Sequence, residues 1–271
     1  MSFIKYLPLC IGRDILPAMQ QNEMNDSRTA PPPSFYGPWA TLGLTALLFI
    51  IPSLFFIFLM LAPYFLGLTK NWFDANQYLL QHRVYLTWVS SGLTLLALFL
   101  MLCMIQWKKW SLREYLVMHH VRWRTTLLWI IPPLMLLFFY GWLIMHFELK
   151  ITRYMSNHPQ LSTVGALHAS FWRLSILGPI LEDLLFWGFC YRGLEQTRLG
   201  SHGAVWLLGV IFAAAHTPTN ATAILGFFPL SVYKGYMRRQ TGSTLPGMLH
   251  HMLHNMIIFL AFAAVQWGAI G

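Results

Sequence analysis

The stretch SILGPILEDLLFWGF, Ser175 to Phe189, decides the reading of this chain. Thirteen of its fifteen residues carry no charge, and the two that do, Glu182 and Asp183, sit side by side. An acid near the centre of a bilayer costs roughly 2.5–3.5 kcal/mol on insertion scales. Such residues normally face a bundle interior or a wet cavity and mark function. An apolar segment carrying an adjacent pair of acids therefore reads as a membrane helix turned towards a site.

The rest of the chain supports the membrane reading. Hydrophobic residues make up 56 % of it and charged residues 10 %, whereas a soluble domain has about 25 % charged residues. No charge falls in 29–69, 84–107, 125–147, 199–233 or 240–271, and each gap is long enough for a span of roughly 20 residues. The period-2 alternation of a barrel strand is absent. The expected fold is all-α: a polytopic transmembrane bundle of about seven helices with a C-terminal four-helix catalytic core. Spans are expected at 39–66, 84–107, 126–147, 168–191, 203–217, 220–237 and 244–267. The domain reading is a poorly ordered cytosolic leader (1–38), three accessory helices (39–167) and the core (168–267). No apolar core of signal-peptide length follows a basic start in the leader.

The formal net charge of +9 reads as orientation rather than nucleic-acid binding. With the amino terminus in the cytosol, 13 of the 18 Lys and Arg fall to the inner side and 5 to the outer, as the positive-inside rule requires. The expected location is a bacterial inner membrane with the amino terminus cytosolic. Cys10, Cys103 and Cys190 form no CxxC pair, so neither a disulfide framework nor a thiolate metal site is indicated.

Two further features fall at the depth of the acids. Phe212-Ala-Ala-Ala-His216 places Phe212 beside the imidazole, because residues four apart share a helix face. His250-His251-Met-Leu-His254-Asn255 places His251 and Asn255 on one stripe and His250 and His254 on a second. Gly247 on the first stripe is expected to admit a neighbouring helix. At 1.5 Å per residue, Glu182 lies roughly 15 Å from the cytosolic end, His216 roughly 20 Å, and His251 and Asn255 roughly 11 and 17 Å. Antiparallel helices thus bring an acid, two histidines and an asparagine together. A buried carboxylate can act as general base, a histidine can relay its proton, and further N–H donors can meet a developing oxyanion. That suffices for attack of water on an amide.

In order and spacing these motifs resemble the CPBP family, which comprises CAAX prenyl proteases and bacteriocin-processing, Abi-type membrane proteins. Its Glu-Glu-xxx-Arg helix corresponds to Glu182-Asp183 with Phe186 and Gly188. Its Phe-xxx-His and His-xxx-Asn helices correspond to Phe212–His216 and His251–Asn255. The resemblance covers roughly 168–262, with Asp183 in place of the second Glu and Trp187 in place of the Arg. It implies an intramembrane glutamic endopeptidase in which Glu182 and His216 activate water and His251 with Asn255 stabilises the oxyanion. Asp183, Phe212, Phe186 and Trp187 would support them. The implied partners are the lipid bilayer and a peptide or protein substrate, with no nucleic acid and no cofactor.

Alternatives from other classes are a zinc peptidase ligated by Glu182, His216 and His251, a non-catalytic scaffold or bacteriocin-immunity-type protein, and a transporter. Without an Arg at 187, Asp183 is expected to be protonated, to pair with a histidine such as His250 or His254, or to lie near water. Trp187 is expected to fill the vacated volume and donate one hydrogen bond. Arg192, Arg198, Lys234, Arg238 and Arg239 are expected to form a basic rim around a polar cavity open to the cytosol.

Overall fold

The computed structural model describes residues 36–71, 74, 83–146, 164–216 and 221–266. The leader up to Phe35, Cys10 and the Thr217–Asn220 breaker lie outside the described residues. Among the described residues every regular element is helical. Seven long helices follow in order: α1 (Pro38–Phe65), α2 (Arg83–Trp107), α4 (Trp123–His146), α5 (Val164–Glu195), α6 (Gly200–His216), α7 (Ala221–Thr241) and α8 (Leu245–Gln266). A single turn, α3 (Leu112–Tyr115), lies between α2 and α4, its first N–H groups capped by Ser111. Stretches of α1, α2, α4 and α5 are long and apolar enough to cross a membrane, and α6 is a shorter apolar helix.

The lipid-facing and buried helices separate by composition. In the spanning windows of α1 and α4 only 12 % and 11 % of residues are buried, against 61 % in α5, which makes α5 the central helix. Trp39, Trp107 and Trp123 are 83 %, 86 % and 65 % exposed. They stand at the start of α1, the end of α2 and the start of α4, on one face of the bundle, as interfacial tryptophans do. The loops before α4 and before α8 meet on one side as well: Thr244 donates through its backbone N–H to Val117 O (2.9 Å) and through Oγ1 to Leu116 O (2.7 Å). Ser243 Oγ donates to His119 O at 2.6 Å. Tyr115, Leu116 and Val117 are buried there.

Five helices begin and end within three residues of the expected positions. Two differ for a physical reason. Helix α5 runs past both expected ends of 168–191 because its winding changes twice. Trp172–Leu177 and Leu184–Cys190 are wide, i→i+5 turns on either side of the acid pair. Helix α7 continues past residue 237 to Thr241, carrying Arg238 and Arg239 inside it.

Wide turns loosen the backbone ladder, and in lipid a carbonyl without a partner is costly. Here the neighbouring helices supply one partner to each. Asn255 Nδ2 donates to Leu174 O at 3.0 Å, and Arg238 Nε donates to Trp187 O at 3.1 Å. Between these two clamps lie Glu182 and Asp183. Association of spans depends on close packing rather than on removal of apolar surface from water. The core accordingly joins Phe186, Trp187, Tyr191, Val205, Leu208 and Phe212 from α5 and α6 with Val232 from α7.

Candidate active site

Glu182 and Asp183 face α6, α7 and α8 from the α5 segment between the wide turns. Glu182 Oε2 lies 3.2 Å from His216 Nε2 and 3.8 Å from His251 Nε2. Its side chain is 29 % exposed and that of His216 is 22 % exposed, while the Glu182 Oε2 atom itself is buried between the histidines. The depth argument from three separate helices is thus met by contact distances.

His216 is held by its own helix. Its Nδ1 lies 2.8 Å from Phe212 O, and a carbonyl only accepts, so Nδ1 carries the hydrogen. Phe212 stacks on the imidazole with centroids 4.2 Å apart, and Phe186 meets Phe212 edge-on at 5.1 Å. This is the expected pairing of residues four apart. With the Nδ1 hydrogen committed, the His216 Nε2 contact to Glu182 is attractive only if one proton lies between the two groups. The two groups are close enough to share a proton.

Asp183 is fully buried. Its partners meet the expectation of a histidine in kind, but the histidine is His251 and a lysine joins it. Neither His250 nor His254 pairs with it. Lys234 Nζ from α7 lies 2.6 Å from Asp183 Oδ1, and His251 Nδ1 lies 2.8 Å from Asp183 Oδ2. A buried carboxylate must be paired, and the cation comes from α7 instead of from α5. Lys234 and Arg238, expected on a basic rim, are 2 % and 5 % exposed, so neither belongs to a surface. Arg198 is exposed, and Arg192 and Arg239 are partly so.

Trp187 fills space as expected, being 1 % exposed, but its Nε1 has no hydrogen-bond partner among the described residues. Its ring lies on Gly235: a Cβ there would stand 2.7 Å from Trp187 Cζ3 and 2.7 Å from Val205 Cγ1. Only glycine admits that approach. At Gly247, by contrast, a Cβ would meet nothing within 4 Å, so the expected close helix contact is not there. Asn255 is on α8 one turn beyond His251, but its amide is directed to Leu174 O.

A cavity of ≈ 250 Å³ opens between α1, α5 and α6, lined by residues including Leu42, Phe186, Cys190 and Leu208. It is apolar and does not match the expected polar cavity. Cys190 is buried there, and Cys103 is exposed on α2.

Glu182, His216 and His251 each offer one ligand atom, all within 4.8 Å of one another. Each histidine has its Nδ1 engaged, by Phe212 O in one case and by Asp183 and Lys234 in the other. Their Nε2 atoms are the ones that face Glu182. The arrangement can therefore pass a proton, hold a water, or ligate a cation.

The site lies within the stretch that resembles a known family. Residues 164–257 match the family model described as Rce1-like, type II CAAX prenyl endopeptidase Rce1-like. The match agrees with the CAAX-protease, CPBP-type recognition made from the three motifs, and the family is one of proteases. No curated protein and no solved structure matches the chain.

Proposed function

We propose that this protein is an intramembrane endopeptidase that hydrolyses a peptide bond with water activated by Glu182. The observation that carries the reading is the meeting of Glu182 Oε2 with His216 Nε2 at 3.2 Å and His251 Nε2 at 3.8 Å, from three helices. When the shared proton rests on His216, Glu182 is a carboxylate and can take a proton from water as that water attacks the carbonyl carbon. The new C–O bond forms, the carbonyl oxygen becomes an oxyanion, and an N–H on His251 Nε2 meets it. Collapse breaks the C–N bond, and the proton held by Glu182 and His216 passes to the leaving nitrogen. Asn255 commits one of its two amide hydrogens to Leu174 O, which ties α8 to α5, and we assign the oxyanion chiefly to His251.

The catalytic core is residues 168–267, with the three preceding spans as accessory helices. The substrate class is a membrane-associated peptide, either a prenylated tail or a leader-type segment, following the family matched. The amino terminus faces the cytosol, in a bacterial inner membrane, on the bias of basic residues. The test is cleavage of a fluorogenic prenyl-cysteine peptide by the purified full chain in lipid vesicles, comparing wild type with Glu182→Gln.

One observation favours a second reading. The three clustered ligand atoms, with both histidine Nδ1 atoms already engaged, also suit a divalent metal. Loss of cleavage on treatment with a chelator, restored by zinc, would assign water activation to a metal ion. Unchanged cleavage would assign it to Glu182 alone.

A further inference from the structure

Lys234 is the buried cation of the site. Its Nζ lies 2.6 Å from Asp183 Oδ1, 2.9 Å from His251 Nδ1 and 4.8 Å from the centroid of the Phe212 ring. An ammonium has three N–H donors and no acceptor. A carboxylate, an imidazole nitrogen and a π face account for all three.

Its position is fixed from both sides in sequence. Tyr233 donates through its hydroxyl to Trp129 O on α4 at 2.8 Å, and Gly235 is covered by the Trp187 ring. The register of α7 therefore sets where the ammonium goes.

His251 Nδ1 has two neighbours that ask opposite things of it. Asp183 Oδ2, at 2.8 Å, accepts a hydrogen; Lys234 Nζ, at 2.9 Å, donates one. A hydrogen on Nδ1 would face an ammonium hydrogen and leave a buried Lys234 donor unmet. A lone pair on Nδ1 meets that donor; it then faces Asp183 Oδ2 at 2.8 Å, and the ammonium that contacts both groups, Nδ1 at 2.9 Å and Asp183 Oδ1 at 2.6 Å, offsets that repulsion. In a neutral imidazole the choice at Nδ1 fixes the other nitrogen. His251 Nε2 is the atom on the Glu182 side.

We infer that Lys234 is a positioning residue that holds His251 in the tautomer with its hydrogen on Nε2, directed into the reaction site. The inference rests on the hydrolytic reading, in which that N–H meets the oxyanion. It assigns the ammonium a task beyond neutralising Asp183. His216 on α6, Glu182 on α5, and His250 and His254 on α8 are the other titratable groups around it, the last two with ring centroids 5.7 Å apart.

The test reads the tautomer directly. Full-length protein carrying ¹⁵N-histidine is placed in lipid bilayers, and nitrogen NMR identifies His251 by the signals missing in His251→Gln. The expected wild-type result is hydrogen on Nε2. In Lys234→Met the hydrogen moves to Nδ1, now facing Asp183 alone, and kcat falls roughly 10²-fold with little change in KM, as for loss of an oxyanion donor. Lys234→Arg keeps the hydrogen on Nε2. Wild-type His251 with its hydrogen on Nδ1 overturns the inference, even if Lys234→Met fails to fold; so does an unchanged tautomer in a folded Lys234→Met. The expected tautomer together with undiminished cleavage by Glu182→Gln would refute the hydrolytic reading and leave the hold of Lys234 on His251 intact.

Discussion

Lys234 Nζ and Asp183 Oδ1 form a 2.6 Å ion pair between α7 and α5, with neither side chain more than 2 % exposed. A buried pair need not stabilise a fold relative to apolar residues of similar shape, but removing one partner leaves a charge without its counter-charge.

That asymmetry gives the first prediction. Asp183→Asn or Lys234→Met alone is expected to destabilise the protein by about 3–5 kcal/mol, and the double substitution to recover much of the loss. Thermal unfolding in detergent micelles checks this. Equal melting temperatures for Asp183→Asn and wild type would show that the pair does not carry this role. The expectation from sequence, that Asp183→Asn is tolerated far better than Glu182→Gln, rested on a protonated acid or a histidine partner; a histidine partner is present in His251, and the ion pair with Lys234 adds a charge that the substitution would strand.

Asn255→Ala separates a backbone clamp from an oxyanion donor. Loss of the donation to Leu174 O is expected to cost about 1 kcal/mol of stability and to lower cleavage less than His251→Ala does. A loss of roughly 10²–10³-fold with unchanged stability would instead mark an oxyanion donor. Paired melting and cleavage assays on both variants decide between the two.

Gly235→Ala puts a methyl group 2.7 Å from the Trp187 ring and 2.7 Å from Val205. Overpacking of this kind costs about 1–3 kcal/mol. The substitution should lower the melting temperature, and Trp187→Leu in the same chain should relieve it by making room. A Gly235→Ala variant as stable as wild type would mean that α7 can shift away from α5 without penalty.

These contrasts show what the sequence could and could not disclose. The common depth of Glu182, His216 and His251 was legible because helical rise per residue is nearly constant, so counting residues from a helix end locates a side chain along the axis. The stack of Phe212 on His216 was legible for the same reason, since both lie on one helix. The partner of Asp183 was not. Lys234 read as a rim cation because nothing local in the sequence reports the rotation of α7 or its close approach at Gly235. The wide turns were not legible either: Gly178-Pro179 directly after the first and Gly188 inside the second fit an ordinary membrane helix as well as a change of winding. Arg238 Nε and Asn255 Nδ2 donate to backbone carbonyls inside the two wide turns, contacts that the sequence, read for rim charge and for catalysis, offered no reason to expect.

The central claim is that Glu182 removes the proton from the attacking water. Its most direct test is the rate of peptide cleavage by Glu182→Gln, in the full chain reconstituted in lipid vesicles and shown by its melting temperature to be folded. The glutamine keeps the shape of the side chain but cannot take that proton, so cleavage is expected to fall to background; cleavage at the wild-type rate would contradict the account.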